Sequence, residues 1–366
     1  MLIYGINLVL IGILHFIVYH VRCSKTHFLR LSLFYLFIIS SLRDKSIGTD
    51  YRNYVEIFYW IISRGSSYVE NGYVLLNKAV ALFTHHYVGL AIAVNLMLFI
   101  PLYYFIKNRV PVHYWGLSIF VFTANPYMFV QATFNGLRQT CATGIVLIGM
   151  NVLLGKKKRK YSIPFFLLTI ILAAQFHRAA YILAIIPVVL LIKWKRTYWF
   201  FITIASVIIN LVGARLMAAA VVYFFGFNVR YVDFEASLLN NPVYVLFVVV
   251  VIFYLLSHYE AYTAMGPEKK RSIDFYLFSL CMLIMALPND IIYRVYIMLS
   301  FCAIPGISAV CESTRPGFSR IRIKHEELLV ERLYVLYYLF FNIGYIALLA
   351  INQNTSYVPF RFFFES

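Results

Sequence analysis

Residues 87–106 read YVGLAIAVNLMLFIPLYYFI, an uninterrupted stretch without a single charged side chain. A run of about 20 apolar residues is what an α-helix needs to cross the hydrocarbon core of a bilayer. Outward from this stretch, comparable runs fall near 2–21, 28–42, 113–133, 138–155, 161–176, 178–194, 198–225, 242–258, 273–288, 291–311 and 333–351. The pattern predicts an all-α, polytopic membrane protein with about 12 transmembrane helices. Because several runs are short and 198–225 is long, ten or eleven true spans with re-entrant pieces also fit.

Composition excludes a soluble domain. The chain is 62% hydrophobic and 13% charged, whereas a soluble domain is about half apolar and about a quarter charged. The 33 Phe and 30 Tyr suit lipid-facing surfaces and interfacial anchors. The formal charge of +17 raises the question of nucleic acid, but the Lys and Arg residues sit in short loops between apolar runs, which reads as topology; no nucleic-acid partner is expected. Five cysteines, Cys23, Cys141, Cys281, Cys302 and Cys311, lie in or beside apolar segments without a CxxC pair, so neither a zinc site nor a disulfide framework is implied. The first apolar run carries no basic residue before Arg22 and lacks the n-region of a signal peptide; it is expected to be a retained first span.

The basic residues set the orientation. With Lys156–Lys160 placed in the cytoplasm, the loops near 22–30, 107–113, 193–196, 259–272 and 312–332 join the same side and hold most of the 32 Lys and Arg, as the positive-inside rule demands. Both termini then lie outside. No repeat, low-complexity tract or linker divides residues 1–366, which read as a single integral membrane domain. The longest outer segment, 43–86, contains a moderately apolar stretch at 73–84 expected to form a re-entrant or interfacial helix.

The outer loops collect mixed polar clusters: Arg43–Tyr51, Glu70–Tyr73, Asn135–Gln139, Phe176–Ala180 and Asn289–Arg294. Spans near 138, 178 and 291 begin at the outer face, so their free N–H groups and positive dipole ends point outward, and each carries an arginine early: Arg138, Arg178, Arg294. A guanidinium beside a helix N-terminus suits a phosphate-like anion, with Asn135 and Asp290 as candidate caps. Arginines near span ends also snorkel to lipid phosphates, Arg178 above all. Three at equivalent outer starts, in a chain that otherwise sends basic residues inward, favour a shared anionic ligand for Arg138 and Arg294. His177 sits beside Arg178; neighbouring guanidinium groups and partial burial disfavour the imidazolium, leaving a neutral ring able to take a proton, although such a histidine is often only an interfacial hydrogen-bonding residue. His85-His86 lacks a carboxylate at ligand spacing, so no metal is expected. Between Arg43 and Tyr54, the residues Arg43, Asp44, Asp50, Tyr51 and Tyr54 crowd around Gly48, which permits a sharp turn. Carboxylates and tyrosines of this kind either neutralise charge at the interface or line a sugar-binding groove.

Taken in order, these clusters resemble the EpsG-type membrane proteins, exopolysaccharide and O-antigen polymerases of the Wzy kind. The resemblance rests on Arg43 with Gly48-Thr49-Asp50-Tyr51, Glu70-Asn71-Gly72-Tyr73, Asn135 with Leu137-Arg138-Gln139 and Ala142, Phe176-His177 with Ala179-Ala180, and Arg294 with Tyr296. Arg178 departs from it, since related sequences often place a small residue after the histidine. The resemblance implies polymerisation of undecaprenyl-diphosphate-linked oligosaccharides at the outer face of a bacterial inner membrane. The growing glycan would pass from its lipid diphosphate to a hydroxyl on an incoming unit. Candidate catalytic residues are His177, Arg138 and Arg294. Candidate substrate-binding residues are Arg43, Asp44, Asp50, Tyr51, Glu70, Asn135, Gln139, Arg178 and Asp290, with Asp44, Asp50 and Asp290 as alternative bases. No cofactor is implied, because the diphosphate linkage already activates the sugar; a chain-length regulator is a candidate partner. A flippase of lipid-linked oligosaccharide is the main rival, but would be expected to use polar residues near mid-membrane, where this chain is nearly charge-free apart from Arg215. An O-antigen ligase is the second, but that class typically places its large outer loop late, whereas here it comes early.

Overall fold

The computed structural model describes residues 2–20, 24–65, 68–156, 158–213, 223, 242–287, 290–313, 329–340 and 360–365. Among them the chain is helical, and its one β feature is an isolated antiparallel bridge between Arg43 and Phe362. The all-α expectation is borne out. Two compact units emerge: Met1–Tyr181 with Glu331–Ser366, and Ile182–Val330.

The first unit contains α1 (Leu2–His20), α2 (Lys25–Ser41), α3 (Tyr51–Arg64), α4 (Asn71–Ala81), α5 (Tyr87–Arg109), α6 (Trp115–Ala124), α7 (Leu137–Leu153) and α8 (Arg159–Ala174). α5 comprises 23 residues and, among the described residues, is the one continuous helix long and apolar enough to cross a membrane. It starts where the His86 ring accepts the Val88 N–H at 3.3 Å, an N-cap. Pro101 lies inside it and has no N–H for the carbonyl of Met97. Gly144 of α7 packs against that carbonyl, so closely that a Cβ there would collide with it. Small residues at such a crossing let backbones approach in lipid. α7 thus packs on α5 along one side and on α8 along another.

Apolar side chains that face outward run in helical stripes: Leu96, Ile100 and Tyr104 on α5, and Tyr161, Phe165, Leu168 and Leu172 on α8. An i, i+4 stripe of bare hydrophobics is what lipid, not water, covers.

The second unit contains α9 (Ile186–Leu191), α10 (Arg196–Ile208), α11 (Pro242–Ser257), α12 (Tyr259–Ala264), α13 (Pro267–Ala286), α14 (Asp290–Ser300) and α15 (Ala303–Ser313). Four expected spans are not single α-helices. The run 113–133 breaks at Asn125-Pro126 and continues as a π-helical segment, Tyr127–Asn135. The run 178–194 begins as a tightly wound 3-10 segment, Arg178–Ile185, before α9. The run 198–225 passes from α10 into a π-helical turn at Ile209–Gly213, and Arg215 lies outside the described residues. Within 291–311, α14 and α15 meet at a bend of 51°. Proline and polar residues interrupt the main-chain ladder in ways that apolar run length does not register. Cys141, Cys281, Cys302 and Cys311 are buried and form no disulfide, as small core residues should; Cys23 lies outside the described residues.

Candidate functional site

Four of the five clusters separated in sequence meet in the first unit. The turn after α2 brings Arg43 inside, where it is fully buried. Its guanidinium donates to the carbonyls of Ser40 and, at 3.3 Å, Phe134, and lies 3.8 Å from the centroid of the Tyr51 ring. Burial pushes the Tyr51 phenol up, with the Arg43 charge opposing. Asp44 is buried too; its Oδ1 accepts the Ser46 N–H at 2.9 Å and the Ser46 hydroxyl at 2.6 Å. Its own N–H donates to the carbonyl of Arg361 at 2.9 Å, so residues 361–363 run alongside 42–44.

Gly48 adopts φ +108°, and a Cβ there would strike the carbonyl of Phe134. The expected sharp turn is present, and it docks 43–51 onto the Asn135–Gln139 cluster. Asn135 Oδ1 accepts the Thr49 N–H at 2.9 Å. This overturns the expectation that Asn135 caps α7: Gly136 is the N-cap, with no side-chain cap bond. Asp50, exposed, precedes α3 and makes no side-chain cap bond either.

Glu70, just before α4, joins the remaining pair. Its Oε2 accepts from Arg138 Nη1 at 2.6 Å, the two side chains being 11% and 22% exposed. Its Oε1 accepts the backbone N–H of Arg178 at 3.2 Å. Two residues on, Gly72 N–H donates to the carbonyl of Gln175 at 2.9 Å, and a Cβ at Gly72 would approach that oxygen to 2.7 Å. Arg138 lies in the first turn of α7, as expected, and its Nε reaches the Tyr54 hydroxyl at 3.5 Å. Gln139 beside it is buried. His177 is buried in the turn that ends α8, its N–H bonded to the carbonyl of Ala173 at 2.9 Å, while the Arg178 side chain is exposed.

The fifth cluster belongs to the second unit. Arg294 is half-buried on α14; Asn289 and the Asp290 side chain lie outside the described residues. Among the described residues no three His, Cys, Asp or Glu side chains gather as metal ligands.

The EpsG family model matches residues 26–362, nearly the whole chain. The chain belongs to the EpsG family. No curated protein and no solved structure matches it. EpsG membership supports a polysaccharide-polymerase type of function at family level, in a family of membrane proteins.

Sequence reasoning left two polar features of this EpsG protein unrecognised. One is the set of bonds that Glu70 and Gly72 make to the end of α8. The other lies in the second unit, where Asp274 accepts from Trp199 Nε1 at 3.1 Å, Tyr259 Oη at 2.6 Å and Lys270 Nζ at 2.7 Å. Burial pushes the Tyr259 phenol up. The i, i+4 pair Lys270–Asp274 was visible in the sequence; its aromatic partners, remote in sequence, were not.

Proposed function

We propose that this EpsG-family chain is the polymerase joining undecaprenyl-diphosphate-linked oligosaccharide repeat units at the outer face of a bacterial inner membrane, in lipopolysaccharide or exopolysaccharide synthesis. The observation that carries the reading is convergence: clusters at 43–51, 70–73, 134–139 and 175–178 bond to one another in one unit. Polar groups away from water pair with one another, and here the pairing gathers in one place the residues on which the family resemblance rests.

The topology that goes with this reading has about 12 spans, both termini outside and these clusters periplasmic. In the transfer, the acceptor O–H bond breaks and its proton passes to a base, His177. The oxygen forms a new bond to the anomeric carbon. The bond from that carbon to the diphosphate oxygen breaks, and its electron pair leaves with the lipid diphosphate. Arg138, at the start of α7, stabilises that developing charge together with the helix N-terminus. The exposed Arg178 is available to a phosphate or headgroup, and Gln139 and Asn135 flank Arg138. Asp44, Asp50 and Asp290 are the alternative bases. Arg43 and Tyr51, packed on each other, hold the 43–51 turn in shape. Arg294 enters as a separate anion-binding candidate on α14. Membrane lipid and a chain-length regulator are the further partners proposed.

The test is the full chain purified into lipid nanodiscs and given lipid-linked repeat units. Longer lipid-linked glycans with release of undecaprenyl diphosphate are expected. Movement of those lipids across a vesicle bilayer without elongation would replace the polymerase with a flippase.

A further inference from the structure

Residues 70–72 make three connections through few atoms. Glu70 Oε2 holds Arg138 at 2.6 Å, and Oε1 holds the N–H that follows His177 at 3.2 Å. The adjoining backbone, through Gly72, bonds the carbonyl two residues before His177. Residues 70–72 therefore form a clip that grips the 175–178 turn at both ends and ties it to the first turn of α7. Both carboxylate oxygens already accept a hydrogen bond from the protein, one of them charge-assisted by a guanidinium, and the side chain is mostly buried, so its contacts are to the fold itself. The pairing uses Nη1 of Arg138, while Nε reaches the Tyr54 hydroxyl at 3.5 Å; Nη2 has no hydrogen-bond partner among the described residues and is not sealed from solvent. An anion can still be met by that edge.

We infer that Glu70 is a positioning residue: it sets Arg138 and the His177 turn in one fixed relation and does so without touching substrate. The inference rests on the polymerase reading for the reaction it serves, though the clip itself does not. A carboxylate is suited to this task because it accepts in two directions at once, and the length of the Glu side chain lets it span from α7 to the end of α8. Misplacing a reacting group by about 1 Å costs on the order of a hundredfold in rate, which makes a rigid tie between the two groups worthwhile.

The test uses the full chain in nanodiscs with Glu70→Gln, which keeps shape but turns one acceptor oxygen into an NH2 that faces another N–H donor, and Glu70→Asp, one methylene too short to keep both bonds. Turnover on lipid-linked repeat units should fall on the order of a hundredfold in Glu70→Gln, with KM for the donor little changed. Thermal unfolding should stay near that of the wild type, and backbone amide exchange over 175–180 and 137–141 should quicken. Glu70→Asp should show the same pattern. Unchanged turnover in Glu70→Gln, or a raised KM with turnover kept, overturns the inference, the latter by making Glu70 a substrate contact. Unchanged exchange over 175–180 overturns it whatever the activity. Faster exchange in a protein whose wild type never elongates glycans would instead keep the clip and discard the polymerase reading.

Discussion

Asn135 Oδ1 accepts the backbone N–H of Thr49 at 2.9 Å, across a sequence separation of 86 residues. The bond fixes the turn after α2 onto the segment before α7, and Gly48 makes the approach possible through its positive φ and missing Cβ. Gly48→Ala should therefore be severely destabilising, because alanine resists this φ and its methyl meets the Phe134 carbonyl. Asn135→Ala should cost about 1–3 kcal/mol by leaving the Thr49 N–H without its acceptor. Membrane-fraction abundance and unfolding temperature check both. A Gly48→Ala protein as stable as the wild type would mean that the turn is not docked this way.

Arg43 shapes the turn through its two carbonyl acceptors and the Tyr51 ring, and this separates stability from chemistry. Arg43→Ala removes two carbonyl contacts and the cation–π contacts to Tyr51 and Phe134, on the order of 3 kcal/mol together. Arg43→Lys should recover only part, since an ammonium cannot serve as a planar fork between Ser40 and Phe134. Lowered unfolding temperatures in the order wild type, Lys, Ala are expected. An Arg43→Ala protein with unaltered stability and no turnover would move Arg43 from scaffold to substrate contact.

What the sequence made legible follows the range of the physics involved. The apolar stretch at 87–106 became α5 because spanning length and lack of charge are local properties. Gly48 announced its turn because backbone freedom is a property of one residue. Glu70 could not announce Arg138, 68 residues away, nor could 42–44 announce 361–363, because such pairings are decided by packing. Asn135 looked like a cap by type and position, yet Gly136 took the cap and freed the amide to hold Thr49. The interrupted spans were illegible for a related reason: a run such as 113–133 passes as one span by length and mean hydropathy, while its change of winding at Asn125-Pro126 is a main-chain event that such a measure does not register.

The proposed topology has its own check. A single cysteine at Lys158, in a chain whose native cysteines are replaced by serine or alanine, should resist an impermeant thiol reagent applied to intact cells and react after permeabilisation. One placed at Asp50, exposed before α3, should react from outside. Reaction of the Lys158 site from outside would put every candidate residue on the wrong face for a periplasmic polymerase.

Arg138 and Arg294 are distinguished from snorkelling arginines by what their loss does to turnover. Arg138→Ala and Arg294→Ala should each lower it more than a hundredfold, about 3 kcal/mol of lost transition-state stabilisation, with the protein still present in the membrane. Arg→Lys should fail as well where the contact is bidentate. Near-normal glycan length in both alanine variants would leave Arg138 as the ion-pair partner of Glu70 only and return Arg294 to lipid anchoring.

The assignment of the base to His177 exposes the proposed mechanism most. The ring is buried in the turn at the end of α8, and the next N–H is held by the same carboxylate that holds Arg138. Among the alternatives, Asp44 has one oxygen committed to both the N–H and the hydroxyl of Ser46, and Asp50 is exposed with no cap bond to orient it. His177→Ala and His177→Gln should both lose turnover on lipid-linked repeat units while still binding undecaprenyl diphosphate, because a base is needed for the acceptor proton and not for the donor's anion. Asp44→Asn, Asp50→Asn and Asp290→Asn should each lose less than the roughly hundredfold that removing a proton-transfer group costs at the least. Substantial turnover in His177→Gln would reduce the imidazole to a hydrogen-bonding or orienting role. Loss confined to one asparagine variant would pass the proton to that carboxylate.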